Sequence, residues 1–329
     1  MTTIVTGAAG FIGHHVSLSL LSRGERVIGL DNLNNYYDVA LKQARLSRLE
    51  STPSFQFEQL DISREVELAS VFERYGPIHK VVHLAAQAGV RYSIENPMAY
   101  VQSNLVGQVV ILEQCRRHEP FEHLVYASSS SVYGGNTKLP FSTDDPVNTP
   151  ISLYAATKRA DELMGYCYSH LYGIPATGLR FFTVYGPWGR PDMAAYLFAE
   201  AILDGRPIKL FNDGKMRRDF TYIDDIVSGV IAALDRPPGS SSCGENCPPH
   251  KLYNLGNNNP EPLMKFVELL EIALDRKASI EMLPMQPGDV AETYADITAA
   301  QKDLSFAPKV TIEEGLPLFV SWFREYHGM

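Results

Sequence analysis

Short β-branched runs alternate with amphipathic stretches through the first 180 residues, and this alternation constrains the fold more than any other feature. Thr2–Thr6 predicts a buried strand that ends at Gly7, and Phe11–Ser22 has apolar residues at helical spacing. The pattern also predicts strands at Arg26–Leu30, Phe55–Leu60, Lys80–Leu84, His123–Ala127 and Ala176–Leu179, and helices over about Arg64–Tyr75, Pro97–Arg117 and Ser152–Tyr172. Strict alternation favours right-handed βαβ units, so we expect an α/β fold with a doubly wound parallel sheet.

The rest of the chain has a different pattern. Beyond Phe181 the alternation breaks, and prolines and glycines become frequent. We expect residues 1–180 to form the sheet domain, which segments near 223–236 and 251–256 rejoin, and residues 181–329 to form a smaller substrate-binding region. The turn-rich segment Pro237–His250 predicts an exposed loop.

The composition opposes several classes of protein. The formal net charge of −9, from 29 basic and 38 acidic residues, does not suit a nucleic-acid partner. No apolar run approaches the roughly 18 residues that cross a bilayer, and no basic leader with a cleavage site is visible. Four cysteines are too few for a disulfide scaffold, so we expect a cytoplasmic protein. Cys243, Cys247 and His250 lack a fourth ligand at suitable spacing, and we expect no metal site.

A glycine-rich turn, Gly7–Gly13, joins the first strand to the first helix with the spacing G-x-x-G-x-x-G. Glycines let the backbone approach a pyrophosphate, and the helix N-terminus offers free N–H groups to it. Asp31 ends the second strand, where a carboxylate accepts hydrogen bonds from ribose hydroxyls and repels a 2′-phosphate. The combination predicts NAD rather than NADP. The alternative is a structural turn with a surface acid.

Four nearby residues bear on the same cofactor. Lys42 and Arg45 would suit a 2′-phosphate, but we expect them on the solvated face of the next helical stretch. Asp61 and Ile62 follow the third strand, where they could contact the adenine. An acid at that position also caps the following helix.

A candidate catalytic pair follows in Tyr154 and Lys158, four residues apart and therefore on one helix face. A free tyrosine has a pKa of about 10, and a nearby ammonium favours the phenolate, which can take a hydroxyl proton. The serine run Ser128–Ser131 lies at the carboxyl end of the fifth strand, where ligands bind in such sheets. A hydroxyl there can hydrogen-bond the reacting oxygen.

Together these motifs resemble the extended short-chain dehydrogenases/reductases, specifically the nucleotide-sugar epimerases and most of all the bacterial UDP-glucuronate 4-epimerases. The resemblance is carried by TGAAGFIG, DNLNNYYD, HLAAQAGVRYS, SSSSVYG, YAATK, RFFTVYGPWGRPDM and RRDFTYIDD, which span nearly the whole chain. It implies a Rossmann-type NAD-binding domain and a smaller C-terminal UDP-sugar-binding region. It also implies a homodimer formed through helices that contain apolar residues such as Leu112, Met164 and Leu171.

The resemblance further implies the reaction and the site residues. The reaction would be C4 epimerisation of UDP-glucuronate to UDP-galacturonate through a transient 4-keto sugar. The catalytic residues would be Tyr154, Lys158 and Ser129. The cofactor residues would be Gly7, Gly10, Phe11, Ile12, Gly13, Asp31, Asn32, Asp61, Ile62, Ala85, Ala86, Gln87, Asn104, Tyr154, Lys158 and Phe181. The substrate residues would be Ser129, Ser130, Ser131, Thr183, Arg190, Phe211, Arg218 and Arg91.

Within the family, the serine run discriminates between reactions. Related dehydratases resemble T-D-E-V-Y-G there, and UDP-glucuronate decarboxylases resemble T-S-E-V-Y-G. Ser130 and Ser131 occupy the positions of those acids, which favours epimerisation without elimination. Thr183 replaces the asparagine of the R-Y-F-N run in UDP-galactose 4-epimerases. Arg190 could pair bidentately with a uronate carboxylate, and its rival role is pairing with the diphosphate or a structural acid.

Three residues complete the comparison. Arg218 matches a phosphate-contacting arginine of the family, whereas Gln286 stands where galactose epimerases carry a second such arginine. Arg91 has either a substrate role or a surface salt bridge. The alternatives are a UDP-glucuronate decarboxylase, an epimerase of another UDP-sugar and, from a different class, a non-catalytic NAD-binding sensor.

Overall fold

A seven-stranded sheet forms the centre of the computed structural model, which describes residues 1–239, 247–286 and 288–329. Its strands are β1 Thr2–Thr6, β2 Arg26–Asp31, β3 Phe55–Gln59, β4 Lys80–His83, β5 His123–Ser129, β6 Ala176–Phe181 and β10 His250–Leu255. All neighbouring pairs are parallel, in the order β10-β6-β5-β4-β1-β2-β3. The predicted parallel α/β fold is confirmed, and the strand order reverses between β1 and β4, where such sheets bind ligands.

Helices cover both faces of this sheet because neighbouring strand residues point to opposite sides. Ile4 belongs to one buried apolar cluster, together with Leu68 and Ile111, whereas Val5 belongs to the other, with Val16 and Val230. The helices are α1 Phe11–Ser22, α2 Val39–Glu50, α3 Glu65–Tyr75, α4 Tyr92–Glu95, α5 Pro97–Tyr100, α6 Gly107–Arg117, α7 Leu153–Tyr172, α8 Ala194–Leu203, α9 Ile223–Leu234, α10 Leu263–Leu274, α11 Thr298–Leu304 and α12 Ile312–Tyr326.

The prediction of one regular helix over Pro97–Arg117 was wrong in detail. A π-helical segment, Val101–Val106, separates α5 from α6. Within α6, Val109 is 36% exposed whereas Leu112 is fully buried.

Two small sheets follow β6 in the chain. Their strands are β7 Thr183–Tyr185, β8 Ile208–Phe211, β9 Arg217–Tyr222, β11 Pro260–Pro262 and β12 Ile280–Leu283. The first sheet has the order β11-β9-β7, and the second pairs β12 with β8. Because β7 begins two residues after β6 ends, this part of the chain starts beside the carboxyl edge of the main sheet.

The described helices include no candidate for a transmembrane segment. In ranges 1–239, 247–286 and 288–329, none combines the length and the apolar character that a bilayer span requires.

Candidate active site

A cavity of about 950 Å³ opens between the carboxyl edge of the main sheet and the chain that follows β6. Nearly all the predicted site residues line it. They are Gly7, Gly10, Phe11, Ile12, Gly13, Asp31, Asn32, Asp61, Ile62, Ala85, Ala86, Gln87, Arg91, Ser129, Ser130, Ser131, Tyr154, Lys158, Phe181, Thr183, Arg190, Phe211 and Arg218. Residues as far apart in the sequence as Gly7 and Arg218 therefore meet in one site.

The glycine-rich turn has the shape that a diphosphate requires. Gly7 has a φ of +71°, and a Cβ on Gly13 would lie 2.1 Å from the carbonyl oxygen of Gly7. Gly10 precedes α1 without a side-chain cap, so the first N–H groups of the helix are not taken by a capping side chain. Only glycine fits these positions, and the resulting backbone cradle fits a dinucleotide.

Asp31 lies at the end of β2, buried at the edge of the cavity. Its Oδ2 accepts a hydrogen bond from the N–H of Ala9 (3.2 Å), and its Oδ1 accepts one from the N–H of Leu33 (2.9 Å). Burial raises the pKa of Asp31 despite the nearby Lys42 ammonium. The carboxylate thus holds the glycine-rich turn while it faces the space where a ribose would lie.

The expectation that Lys42 and Arg45 lie on a solvated face was wrong. Lys42 is 5% exposed and its Nζ donates to the carbonyl oxygen of Asn34 (2.8 Å), whereas Arg45 is fully buried. The guanidinium of Arg45 donates to the carbonyl oxygens of Ala9, Trp188 and Gly189 (2.6–3.1 Å). The charge is tolerated inside because backbone carbonyls satisfy its donors.

Asn104 is the predicted cofactor residue that the structure does not bring to the cavity wall. Its Oδ1 accepts from the N–H of Gln87 (2.8 Å), while its Nδ2 donates to the Gln87 carbonyl (3.1 Å) and to Thr157 Oγ1 (2.9 Å). With its amide engaged in this way, Asn104 supports the loop after β4 rather than facing a ligand.

Asp61 occupies the position where two roles were open. Its Oδ1 accepts from the N–H of Ser63 (3.0 Å), and its Oδ2 accepts from Nδ2 of Asn32 (3.0 Å). Asp61 therefore orders the turn before α3 and also lines the cavity.

Tyr154 and Lys158 both face the cavity from the first turns of α7. The hydroxyl of Ser152 caps this helix by accepting from the N–H of Ala155 (3.1 Å). Nζ of Lys158 donates to the carbonyl oxygen of Ala127 (3.0 Å) and to Asp161 Oδ2 (3.0 Å). The ammonium is thus fixed against β5 and directed by two buried acceptors.

The serines at the end of β5 divide into two roles. Ser128 donates to Glu162 Oε1 (2.6 Å) inside the protein, whereas Oγ of Ser129 accepts from the N–H of Ser131 (3.1 Å) at the cavity. The Ser129 hydroxyl keeps its proton available to donate, which is what hydrogen bonding to a reacting sugar oxygen requires.

The geometry allows a hydroxyl–ketone interconversion beside a dinucleotide, and comparisons with known proteins agree with it. A profile of the NAD dependent epimerase/dehydratase family matches residues 3–256. UDP-glucuronate 4-epimerase 4 of Arabidopsis thaliana is 50% identical over 335 residues, which cover 100% of this chain and 76% of that protein. The chain belongs to the NAD dependent epimerase/dehydratase family. The family resemblance seen in the sequence motifs is confirmed, and so is the dependence on NAD.

Solved structures of this family share the whole fold. The UDP-glucuronic acid 4-epimerase of Bacillus cereus, in complex with UDP-glucuronic acid and NAD, superposes with a TM-score of 0.89 at 33% identity and covers 99% of this chain and 100% of that chain. The UDP-glucose 4-epimerase of Thermotoga maritima, with UDP-glucose, gives a TM-score of 0.87 at 30% identity with the same coverage. Fold similarity therefore does not separate acidic from neutral sugars.

Arg190 pairs with an acid of the protein itself, which is one of the alternatives that the sequence left open. Its Nε and Nη2 donate to the carboxylate of Asp192 at 2.9 and 2.5 Å. The same carboxylate accepts from the hydroxyl of Tyr36 (3.0 Å). Asp192 thus occupies the edge of the guanidinium formed by Nε and Nη2, whereas Nη1 and the second N–H of Nη2 stay available to another acceptor.

The opposite end of the cavity contains Arg91, Phe211 and Arg218. Arg91 forms the surface salt bridge that was one of its two alternatives, with Asp289 (3.2 Å), and its guanidinium lies 4.5 Å from the Phe211 ring centre. Burial lowers the pKa of Arg218, and its Nη1 donates to the carbonyls of residues 217 and 291. Gln286 lies outside the cavity wall, and Asp289 of the same loop lines it.

Sequence reasoning missed Tyr36 and Asp192, although the motifs that contain them were recognised. Nothing local shows that residues 156 positions apart share a hydrogen bond. His83 is buried and hydrogen-bonded to Thr6 Oγ1 (2.7 Å), as a structural histidine would be. Cys243 lies outside the described residues, and among the described ones no three metal-ligating side chains cluster.

Proposed function

We propose that this chain is an NAD-dependent UDP-glucuronate 4-epimerase that interconverts UDP-glucuronate and UDP-galacturonate. One observation supports this most: the carboxylates on the described cavity wall are already engaged. Asp31 and Asp61 accept backbone N–H groups, Asp192 pairs with Arg190, and Asp289 pairs with Arg91. Each acid in the described part of the wall therefore has a partner, and Ser130 and Ser131 stand where related dehydratases carry acids.

In the proposed cycle, bound NAD accepts and returns the hydride of C4. Tyr154, as phenolate, takes the proton of the C4 hydroxyl, and the Ser129 hydroxyl hydrogen-bonds the same oxygen. Lys158 favours the phenolate through its positive charge. After the 4-keto sugar turns over, the hydride returns to the opposite face of C4, and Tyr154 returns the proton to the C4 oxygen. The net redox change is zero, so the products contain no reduced cofactor.

A 4-keto uronate is a β-keto acid and loses carbon dioxide when the breaking bond aligns with the ketone. The site must therefore hold the carboxylate away from that alignment. We propose that the hydroxyls of Ser130, Ser131 and Thr183 hold it, with Arg190 contributing through Nη1 and its charge. The occupied edge of Arg190 makes the hydroxyls the principal donors.

The decisive experiment incubates purified protein with UDP-glucuronate and follows the sugar by proton NMR, with Tyr154→Phe as the control. UDP-galacturonate without net NADH supports the proposal. UDP-xylose or a 4-keto pentose would show decarboxylation instead. An unchanged spectrum with wild-type protein refutes UDP-glucuronate as the substrate.

A second candidate is a 4-epimerase of a neutral UDP-hexose. The Arg190–Asp192 pair favours it, because a guanidinium neutralised by an acid attracts a uronate less strongly. UDP-glucose in the same NMR assay tests this candidate, and turnover of UDP-glucose above that of UDP-glucuronate would establish it.

We further propose a homodimer formed through α6 and α7. Large apolar side chains of these helices and the π segment are exposed, including Val106 (37%), Leu163 (54%), Tyr166 (51%) and Leu171 (60%). Leu112, expected on this face, instead packs under the sheet. Analytical ultracentrifugation tests the dimer, and Leu163→Glu should dissociate it.

We also propose a cytoplasmic location, because the cysteine content is low. Cell fractionation tests this proposal.

A further inference from the structure

Asp161 forms an ion pair with Lys158 inside the protein, one turn further along α7. Nζ of Lys158 lies 3.0 Å from Oδ2 of Asp161 and 3.0 Å from the carbonyl oxygen of Ala127. The two side chains are 5% and 2% exposed. An ammonium has three N–H donors. Two of them are therefore engaged by the protein, and one remains for the cavity.

The next acid along the helix, Glu162, has a different environment. Arg180 neutralises it through two hydrogen bonds, at 2.7 and 2.9 Å, and Ser128 and Arg159 also donate to it. Asp161 has fewer hydrogen-bond donors around it, because its Oδ1 is buried and accepts no hydrogen bond from the described residues. In the described part of the chain, Lys158 is the cation with which Asp161 pairs.

The titratable groups that other elements bring to this pair are neutral or already paired. His83 on β4 faces Lys158, but burial lowers the pKa of His83 to about 3. Burial raises the pKa of Tyr126 on β5. Arg180 on β6 is committed to Glu162. Burial raises the pKa of Asp161 to about 6, within the range of enzyme assays, with Lys158 opposing this shift and the neighbouring Glu162 carboxylate adding to it.

We propose that Asp161 is a positioning residue that holds the ammonium of Lys158 and offsets part of its charge, thereby setting the pH at which Tyr154 becomes a phenolate. The inference rests on the proposed function in taking Tyr154 as the base. An ammonium favours a nearby phenolate, and a carboxylate 3.0 Å from that ammonium opposes the effect. When Asp161 is protonated or replaced by a neutral group, the whole charge of Lys158 acts on Tyr154.

Asp161→Asn tests the inference, because the amide keeps the shape and the acceptor oxygen but removes the charge. Tyrosinate absorbance is titrated in this variant and in the wild type, each against its own Tyr154→Phe version, so that the difference belongs to Tyr154. We expect the midpoint to move to lower pH by about one unit. The acid limb of kcat/KM should move in the same direction. Asp161→Glu keeps the charge and should return the midpoint toward the wild-type value.

An unchanged midpoint in Asp161→Asn would overturn the inference, even if the variant melts at a lower temperature, because a purely structural role predicts that result. Asp161→Ser is a second neutral variant, and it decides the matter if Asp161→Asn does not fold. The titration needs no substrate. An unchanged midpoint with normal wild-type turnover therefore refutes the role of Asp161 alone, whereas a wild type that converts no UDP-sugar refutes the proposed function.

Discussion

Replacing Glu162 with glutamine should destabilise this protein more than any surface charge change. The Glu162 side chain is fully buried and Arg180 is 1% exposed. Burial alone would raise the pKa of Glu162, yet Arg180 and the hydroxyl of Ser128 hold it below its ordinary value. Glu162→Gln keeps the shape, removes the negative charge and turns an amide toward a buried guanidinium.

The expected loss of unfolding free energy depends on the contacts that Arg180 retains in the variant. Removing one partner of a buried ion pair costs about 3–5 kcal/mol, because the other charge is left uncompensated. Arg180 retains a hydrogen bond to the Tyr133 hydroxyl (3.0 Å) and lies over the Tyr133 ring at 4.9 Å. These contacts offset part of the loss, so we expect the free energy of unfolding to fall by about 3 kcal/mol, the lower end of that range.

Urea denaturation followed by circular dichroism, at one fixed protein concentration, measures this difference. The matched control is Glu67→Gln, which breaks the exposed pair with Arg64 (2.9 Å) and should cost less than about 1 kcal/mol. If Glu162→Gln costs no more than the control, the reasoning about buried charge at this site is refuted.

Three further changes probe other parts of the structure. Gly13→Ala should abolish retention of nicotinamide after purification, measured by absorbance of the released cofactor, because the added Cβ meets the Gly7 carbonyl. Arg45→Met should lower the unfolding free energy by about 3 kcal/mol, measured in urea, since buried carbonyls lose their donor. Burial lowers the pKa of His123 to about 4, below its unfolded value, so unfolding takes up a proton. The titration of His123 alone should remove roughly 3 kcal/mol of unfolding free energy between pH 6.5 and 4. Urea denaturation at the two pH values measures this as the difference between the wild type and His123→Asn.

The main sheet could be predicted because its signals are local. A strand such as Thr2–Thr6 is buried on both faces, so it reads as a short continuous run that a glycine ends. Asp31 could also be identified from the sequence, because its predicted role depends on its position at the end of a strand. The π segment could not be predicted, since its residues have an ordinary helical pattern. Asn104 within it hydrogen-bonds Gln87 and Thr157, which are 17 and 53 positions away in the sequence.

The burial of Arg45 could not be predicted, because its partners are distant in sequence. Arg45 is satisfied by carbonyls of Trp188 and Gly189, 143 and 144 residues away. A local pattern shows only a charged residue on a helix, and the ordinary expectation for such a residue is solvent. Tertiary contacts reversed that expectation and made Arg45 the connection between the glycine-rich turn and the loop before Arg190.

Arg190 shows where sequence reasoning about specificity reaches its limit. A lone arginine beside a sugar site indicates carboxylate recognition, but the acid that takes its bidentate edge is Asp192, only two residues further on. That acid also accepts from Tyr36, so the pair is held in place from a third element. Selection of a uronate then depends on neutral hydroxyl donors and on the Nη1 side of a guanidinium whose charge Asp192 partly offsets. This combination discriminates less against neutral sugars than a free guanidinium does. Substrate preference in this chain is therefore expected to be graded rather than absolute, with UDP-glucose turned over measurably beside UDP-glucuronate.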